Sequence, residues 1–321
     1  MQWTKFANPS QLKRRHVLGM NERNIHFIGR YNQRHLYPLV DDKLLTKKIA
    51  EKAHLKAPEL IGVITTQADI KTIHQLVSHG EGFVLKPAQG SGGKGILVIS
   101  SQEDGQFIKP SGGALSAADI ERHISNTIAG LFSLGGRSDA VIVERLIQCD
   151  PLFNRYSFEG VPDIRVIVFK GYPLMAMVRL STKESDGKAN LHQGAVGVGL
   201  DLATGKALQA VQFDEVITHH PDTNAALSDL QIPNWREILC LAAQAYEMTQ
   251  LGYLGTDIVL DATDGPMVLE LNARPGLAIQ IANGLGLKQR LKHIEKLQQP
   301  FYYPSYEQRV DYAMNTLSAL K

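Results

Sequence analysis

Apolar residues recur along this chain in two rhythms, at alternate positions in short runs and at three-to-four spacing in longer ones, with breaks at glycine, proline and asparagine. Alternation predicts strands over 60–64, 83–87, 96–100 and 140–147. It also predicts a hairpin of 163–170 and 173–180 turning at Gly171, and another of 196–202 and 206–212 turning at Ala203-Thr-Gly205. A helix is predicted from Asp41, with Asp41 or Asp42 as its cap and Leu44, Leu45, Ile49, Ala53 and Leu55 inward, ending at Pro58. Others are expected over 68–78, capped by Thr65 or Thr66, over 116–134, and over 234–251 with Ile238, Leu241, Ala242, Ala245 and Met248 on one face. Residues 1–40 read as polar and irregular around a short strand, Ile25-His-Phe-Ile28, while 148–162 and 213–234 read as loops and the tail beyond Gly284 as helical and basic. Helices do not alternate with strands regularly enough for a doubly wound sheet. The pattern is α+β: a short N-terminal segment, 1–40, then units over 41–147 and 148–321.

The last hairpin carries the first sign of chemistry. Tyr253-Leu-Gly-Thr-Asp257-Ile-Val-Leu260 and Met267-Val-Leu-Glu270-Leu-Asn272 flank Ala262-Thr-Asp-Gly265, and closure between Asp261 and Pro266 sets Asp257 opposite Glu270. Opposed like charges about 5 Å apart destabilise a sheet. Asn272 projects from the same face as Glu270. Three such oxygen-bearing side chains suit a hard cation such as Mg²⁺, which shares its coordination with substrate phosphates. An ordinary exposed hairpin with scattered acids is the alternative.

A second sign is Gln89-Gly-Ser-Gly-Gly-Lys-Gly95 between two predicted strands. Gly90, Gly92 and Gly95 satisfy the dinucleotide-fold spacing, but a strand follows where that fold needs a helix. A Walker loop fails too, with Ala88 in place of its first glycine and Gly95 in place of its hydroxyl residue. What remains is a glycine-rich hairpin tip able to close over phosphates, or a flexible turn. Lys86 lies four residues before Gly90 in the apolar run Phe-Val-Leu-Lys-Pro, where an ammonium needs an anion. Lys43 and Lys47, one helical turn apart, are candidates to add charge there, with a solvated helix face the alternative, more strongly for Lys47 than for Lys43.

Composition narrows the partners. The 321 residues carry a net charge of +2 and an ordinary apolar content, so no bulk attraction to nucleic acid or membrane is expected. Lys13-Arg-Arg-His16, Arg23, Arg30 and Arg34 read as solvated surface. Cys149 and Cys240 lack metal-ligand spacing, and His219-His220 shows no zinc pattern. No apolar stretch of signal-peptide or membrane-span length occurs, and a cytoplasmic setting is expected.

In order, Asp42-Lys43, Val84-Leu-Lys86-Pro, Gln89 to Gly95, Val143-Glu144-Arg-Leu-Ile147, Asp163-Ile-Arg165, Arg179, Asn190-Leu-His192-Gln-Gly194, Gly255-Thr-Asp257 and Glu270-Leu-Asn272-Ala-Arg274-Pro-Gly276 resemble the ATP-grasp superfamily of carboxylate-amine ligases. The likeness is greatest to RimK-type glutamate ligases and runs from Asp41 to about Gly286. It implies an ATP-grasp fold of two α+β subdomains clasping ATP. By resemblance, Lys43, Lys86 and the loop of Gly90, Ser91, Gly92, Gly93, Lys94 and Gly95 hold ATP phosphates. Glu144, with the backbone of Arg145, Leu146 and Ile147, receives adenine, and Asp257, Glu270 and Asn272 hold Mg²⁺, two ions with Mn²⁺ as an alternative. Arg165, Arg179 and Arg274 neutralise the phosphoryl group and substrate carboxylate, with Asn190 and His192 on the loop nearby.

Such ligases usually carry a sizeable N-terminal domain, and only about 40 residues precede the matched part. Arg14, Arg15, Arg23 and Arg34 are candidates to bind an acidic substrate instead, and Asp150 a candidate ribose partner in the long 148–162 stretch. A subgroup linked to sugar transfer has a similar short start. The resemblance implies amide or peptide bond formation through an acyl phosphate, with glutamate or another amino acid as amine and an acidic peptide or protein as acceptor. A kinase is the enzymatic alternative, although no His-Arg-Asp or Asp-Phe-Gly motif occurs. A nucleotide-binding regulatory protein without turnover is the other.

Overall fold

The computed structural model describes residues 8–77, 81–90, 92–297 and 303–320. Ser78, the expected end of one helix, and Ser91 in the glycine loop lie outside them. Two compact units result. One holds Asp41–Lys52 and Ala57–Gln148; the other holds the described residues up to Val40, Ala53–Lys56, and those from Cys149 onward.

The smaller unit is built on a four-stranded sheet of β1 (Leu60–Ile64), β2 (Phe83–Pro87), β3 (Leu97–Ile99) and β7 (Val141–Arg145), in the order β1-β7-β2-β3. Three short strands, β4 (Ser101–Glu103), β5 (Gln106–Ile108) and β6 (Ala114–Leu115), form a side sheet. Ile64, Phe83, Leu85, Ile99, Val141 and Val143 form a core with Ile120, Ile124 and Ile128 of the Ala117–Ile128 helix, whose four-residue spacing makes one apolar stripe. Ser116 and Asp119 close a capping box at its start. That helix stops six residues short of the expected 134, because Gly130 takes a positive φ of 89° and turns the chain. The helix expected over 68–78 is a 3₁₀ stretch, Gln67–Thr72, followed by one turn, Ile73–Leu76; Thr66 spends its hydroxyl on the Asp69 carboxylate. In the Lys43–Lys52 helix Asp42 is the cap, accepting from the Leu45 amide, but Leu44, Leu45 and Ile49 are only half-buried and Ala53 is exposed.

The larger unit carries a seven-stranded antiparallel sheet. Its strands are β8 (Asp163–Phe169), β9 (Tyr172–Leu180), β10 (Val196–Leu200), β11 (Ala207–Gln212), β12 (Glu215–Ile217), β13 (Tyr253–Asp261) and β14 (Gly265–Asn272), in the order β12-β11-β10-β9-β8-β13-β14. The expected 213–234 loop therefore contains a strand, β12, and the 148–162 loop a 3₁₀ turn, Pro151–Arg155, which Asp150 caps through the Leu152 amide. The Trp235–Thr249 helix packs on this sheet with Ile238, Leu241, Ala242 and Ala245 buried, while Met248 is half-buried.

The N-terminal segment differs most from expectation. It is largely helical, and Ile25-His-Phe-Ile28 lies in a π-helical turn, Arg23–Ile28. Three apolar residues around a histidine do not distinguish strand from helix. Helical winding puts Phe27 and Tyr31 on one side, and both meet Phe169 edge-on at 5.6 and 4.9 Å. Buried Asn32 then donates to the carbonyls of Tyr253 and Ala273 and accepts from the Tyr253 amide. Among the described residues no helix is long and apolar enough to cross a membrane.

Asn32→Ala leaves the buried Tyr253 backbone groups without partners and is expected to cost roughly 2 to 3 kcal/mol in urea unfolding. A loss under half a kcal/mol would show that this brace is dispensable.

Candidate functional site

Within the smaller unit, β2 and β3 form the expected hairpin around the glycine loop, pairing Phe83 with Ile99 and Leu85 with Leu97. Gly92 and Gly93 have φ of 64° and 74° with open space around them, whereas Gly95, at 75°, lies where any side chain would strike the Phe132 ring. The base of the loop is fixed. Lys43 donates from Nζ to the Gly90 carbonyl at 2.8 Å and from its amide to the Ala88 carbonyl, and the His123 ring bonds the Gly95 carbonyl.

Val84 pairs with Glu144 and Lys86 with Ile142, so Lys86 and Glu144 share a sheet face on a diagonal. The Lys86 ammonium donates to Glu144 Oε2 at 2.6 Å, and Lys47 donates to Oε1 at 2.6 Å and to the Pro58 carbonyl. Burial pushes Lys47 below the usual lysine range against the pull of Glu144; burial also opposes ionisation of Glu144, but the two lysines outweigh it and hold the acid low. Lys47 is therefore no part of a solvated face: its side chain is 12% exposed. Its one-turn spacing from Lys43 was the signal for it. The Arg145 and Leu146 amides bond Glu59 and Gly82 carbonyls, and Ile147 at the strand end has no amide partner among the described residues.

Within the larger unit, register collects charge on one sheet face. Asp257 pairs with Arg165 on one side and Glu270 on the other, Arg179 pairs with Asp163, and Asp163 and Arg165 are two apart on β8. The intervening Ile164, Val166, Val178 and Ile258 point the other way and are fully buried. Arg165 grips Asp257 through two nitrogens at 2.7 and 2.5 Å, and Arg179 bridges Asp257 at 2.9 Å and Asp163 at 2.6 Å. Asn272 donates to Asp257 at 3.2 Å. Asp163 was legible only as part of a motif; its alternation with Arg165 was the signal for its role.

The Asp257–Glu270 opposition arises differently from the expected loop closure. The turn closes one residue earlier, pairing Asp261 with Gly265, and a bulge between Asp257 and Ile258 restores the register. Arg274 is not on the same strand face as Asn272: β14 ends at Asn272, and the exposed guanidinium stacks 5.0 Å over the Tyr37 ring. Arg23, offered above as a substrate ligand, bonds the Pro275 carbonyl at 2.7 Å. Asn190 accepts from the His192 amide and caps the Leu191–Gln193 turn, and His192 is exposed.

Among the described residues no group of three His, Cys, Asp or Glu side chains is arranged to hold a metal ion; the acidic set is two carboxylates and an amide. Its chemistry fits Mg²⁺, since Asp257, Glu270 and Asn272 offer only hard oxygens and Asp257 Oδ1 takes a single hydrogen bond, from Arg165. Burial opposes ionisation of Asp257, but Arg165 and Arg179 outweigh it and hold the acid below the usual carboxylate range.

Burial, with the charge of Asp257, pushes Asp163 from 3.8 up to about 6 against the pull of Arg179. Between those values the native protein keeps a proton that the unfolded chain has released, so this group's contribution to stability falls as pH rises through that window. In magnesium-free buffer, wild type is expected to lose stability relative to Asp163→Asn as pH rises from about 4 to about 6, as measured by urea unfolding. Parallel stability curves would contradict this assignment.

Several solved structures resemble the chain. The ATP-grasp ligase PsnB complexed with minimal precursor is 16% identical, with 83% of this chain and 63% of that one covered and a TM-score of 0.45. A RimK domain protein ATP-grasp from Sphaerobacter thermophilus is 14% identical over 80% and 69%, at 0.43. D-alanyl-alanine synthetase A from Vibrio cholerae is 11% identical over 88% and 66%, at 0.47. The chain thus spans less than two thirds of the length of the PsnB chain. No curated protein sequence matches. The model of the sugar-transfer associated ATP-grasp family matches residues 22–296, most of the sequence. The chain belongs to that family, and its fold is ATP-grasp.

Proposed function

We propose that the protein is an ATP-dependent ligase that activates a carboxylate as an acyl phosphate and joins it to an amine. The observation that carries this reading is the half-buried pair Arg165 and Arg179, held on buried Asp257 on the sheet face that also bears Glu270 and Asn272. A carboxylate is a poor acyl donor, and moving the γ-phosphoryl group of ATP onto it gives a good one. Both that transfer and the later attack by the amine build negative charge on oxygen, which fixed cations stabilise without reorganising.

In this reading Lys43, Lys47 and Lys86 neutralise ATP phosphates, and Gly92 and Gly93 let the hairpin backbone approach them. Glu144 orients the two lysines it binds and, with the Ile147 amide, receives the adenine edge. Asp257, Glu270 and Asn272 hold Mg²⁺, as one ion or two, which when bound offsets phosphate charge. Arg165 and Arg179 orient the substrate carboxylate and the transferred group, and Arg274 lies close by in sequence. The amine is an α-amino acid, glutamate being the one the sequence resemblance favours, and the acceptor is an acidic small molecule, peptide or protein.

Incubation with Mg·ATP, candidate carboxylates and hydroxylamine is expected to release ADP and phosphate and to form hydroxamate. Tight ATP binding with no turnover under any mixture would sink the ligase reading, and ADP without phosphate would indicate a kinase. Glu270→Ala is expected to abolish Mg·ATP turnover while leaving the circular dichroism spectrum unchanged, and full activity in that variant would remove the metal assignment.

A further inference from the structure

On the sheet face that bears the arginines, strand pairing runs from Arg179 to Gly197 and on to Val211, two strand steps or about 10 Å. There a cavity of about 240 Å³ is lined by Leu191, His192, Val211, Phe213, Asp214 and Ala278. Gly197 makes room for it: a side chain there would lie 2.9 Å from Leu191, which instead settles on the sheet as the inner wall.

The outer wall is a strained turn. Gln212 pairs with Glu215, leaving Phe213 and Asp214 as a two-residue loop with φ of 50° and 64°. Such turns favour asparagine and glycine, and a phenylalanine there is costly. Its ring nonetheless reaches across to Gly194, where a side chain would meet Phe213 Cζ at 2.9 Å. Gly194 is held in turn, because the Thr182 hydroxyl and the Gln212 side-chain Nε2 both donate to its carbonyl, at 2.9 and 2.8 Å. The residue stays 58% exposed despite this, and it lines the cavity with apolar surface.

We propose that this cavity receives the side chain of the amine substrate and selects an uncharged apolar group of leucine or phenylalanine size over an acidic one. The inference rests on the ligase reading and, for the amine, sets an apolar side chain in place of the glutamate that the sequence resemblance favours. Four of the six lining residues are apolar, and the only full charge among them is the Asp214 carboxylate, with no lysine or arginine to balance a second one. A glutamate side chain would meet like charge there, whereas leucine or phenylalanine would bury apolar surface against Phe213, Val211 and Leu191. The two-strand separation suits an amino acid whose side chain fills the cavity while its backbone reaches toward Arg179.

Binding can be read without turnover. The full chain, with and without Mg·AMP-PNP, is titrated with L-leucine, L-phenylalanine and L-glutamate by calorimetry. Leucine and phenylalanine are expected to bind about ten-fold more tightly than glutamate, a ratio that one unfavourable charge contact supplies. Phe213→Asn, which keeps a residue tolerant of the left-handed backbone, should erase the leucine and phenylalanine affinity. Asp214→Asn should bring glutamate to within a few-fold of leucine. Glutamate binding as tightly as leucine to wild type, no binding of any of the three, or unchanged leucine affinity in Phe213→Asn would overturn the proposal. The hydroxamate assay reports separately on the ligase reading, so a failure of either is distinguishable from a failure of the other.

Discussion

The larger unit depends on one buried carboxylate. Asp257 is 2% exposed and takes the charges of Arg165 and Arg179, while Asp163 takes the remainder of Arg179. Removing four charged groups from water is expensive, and their mutual attraction offsets that cost only because each guanidinium is met by directed hydrogen bonds. Deleting Asp257 strands Arg165, and deleting Arg179 strands Asp163. The sheet is committed to its register by the same contacts, since a one-residue slip would send every one of these side chains into the apolar layer occupied by Ile164, Val166 and Ile258.

The smaller unit solves a similar problem with different chemistry. Glu144, 7% exposed, is bound by Lys47 and Lys86. In each unit an acid holds two cations in place after their desolvation has already been met by folding. On the proposed reading, an arriving anionic substrate group would find oriented charge and would share those cations with the acid at less cost than ordering free side chains from water. On the proposed reading, the buried acids would therefore serve the chemistry as well as the fold.

The sequence made the strands legible where alternation was uninterrupted: β1 and β2 have the expected limits, and β8, β9, β13 and β14 lie where their patterns place them. It gave the Asp257–Glu270 opposition through the wrong loop closure, because a bulge is set by backbone packing and leaves no periodic trace. Lys43 and Lys86 stood out, while Lys47 did not, since a lysine on a polar helix reads as solvated until the acid that buries it is known. The N-terminal segment was opaque for a related reason. Its anchors are single residues, Phe27, Tyr31 and Asn32, whose partners lie more than a hundred positions away, beyond the reach of any local pattern.

That segment also changes the meaning of its arginines. Arg23 is spent on the Pro275 carbonyl, and the Tyr37 ring lies under the Arg274 guanidinium, so the segment leaving β14 is held at two points just after Asn272. Asn32 adds a third hold at the Ala273 carbonyl. A loop that follows two ligand-type residues must keep them oriented within fractions of an ångström, and glycine and proline at 275–276 cannot do so through side-chain packing of their own. Bracing from another segment supplies that rigidity. On the proposed reading, the N-terminal residues would act on the acidic cluster through the loop by orienting Asn272 and Arg274, with no contact to substrate required.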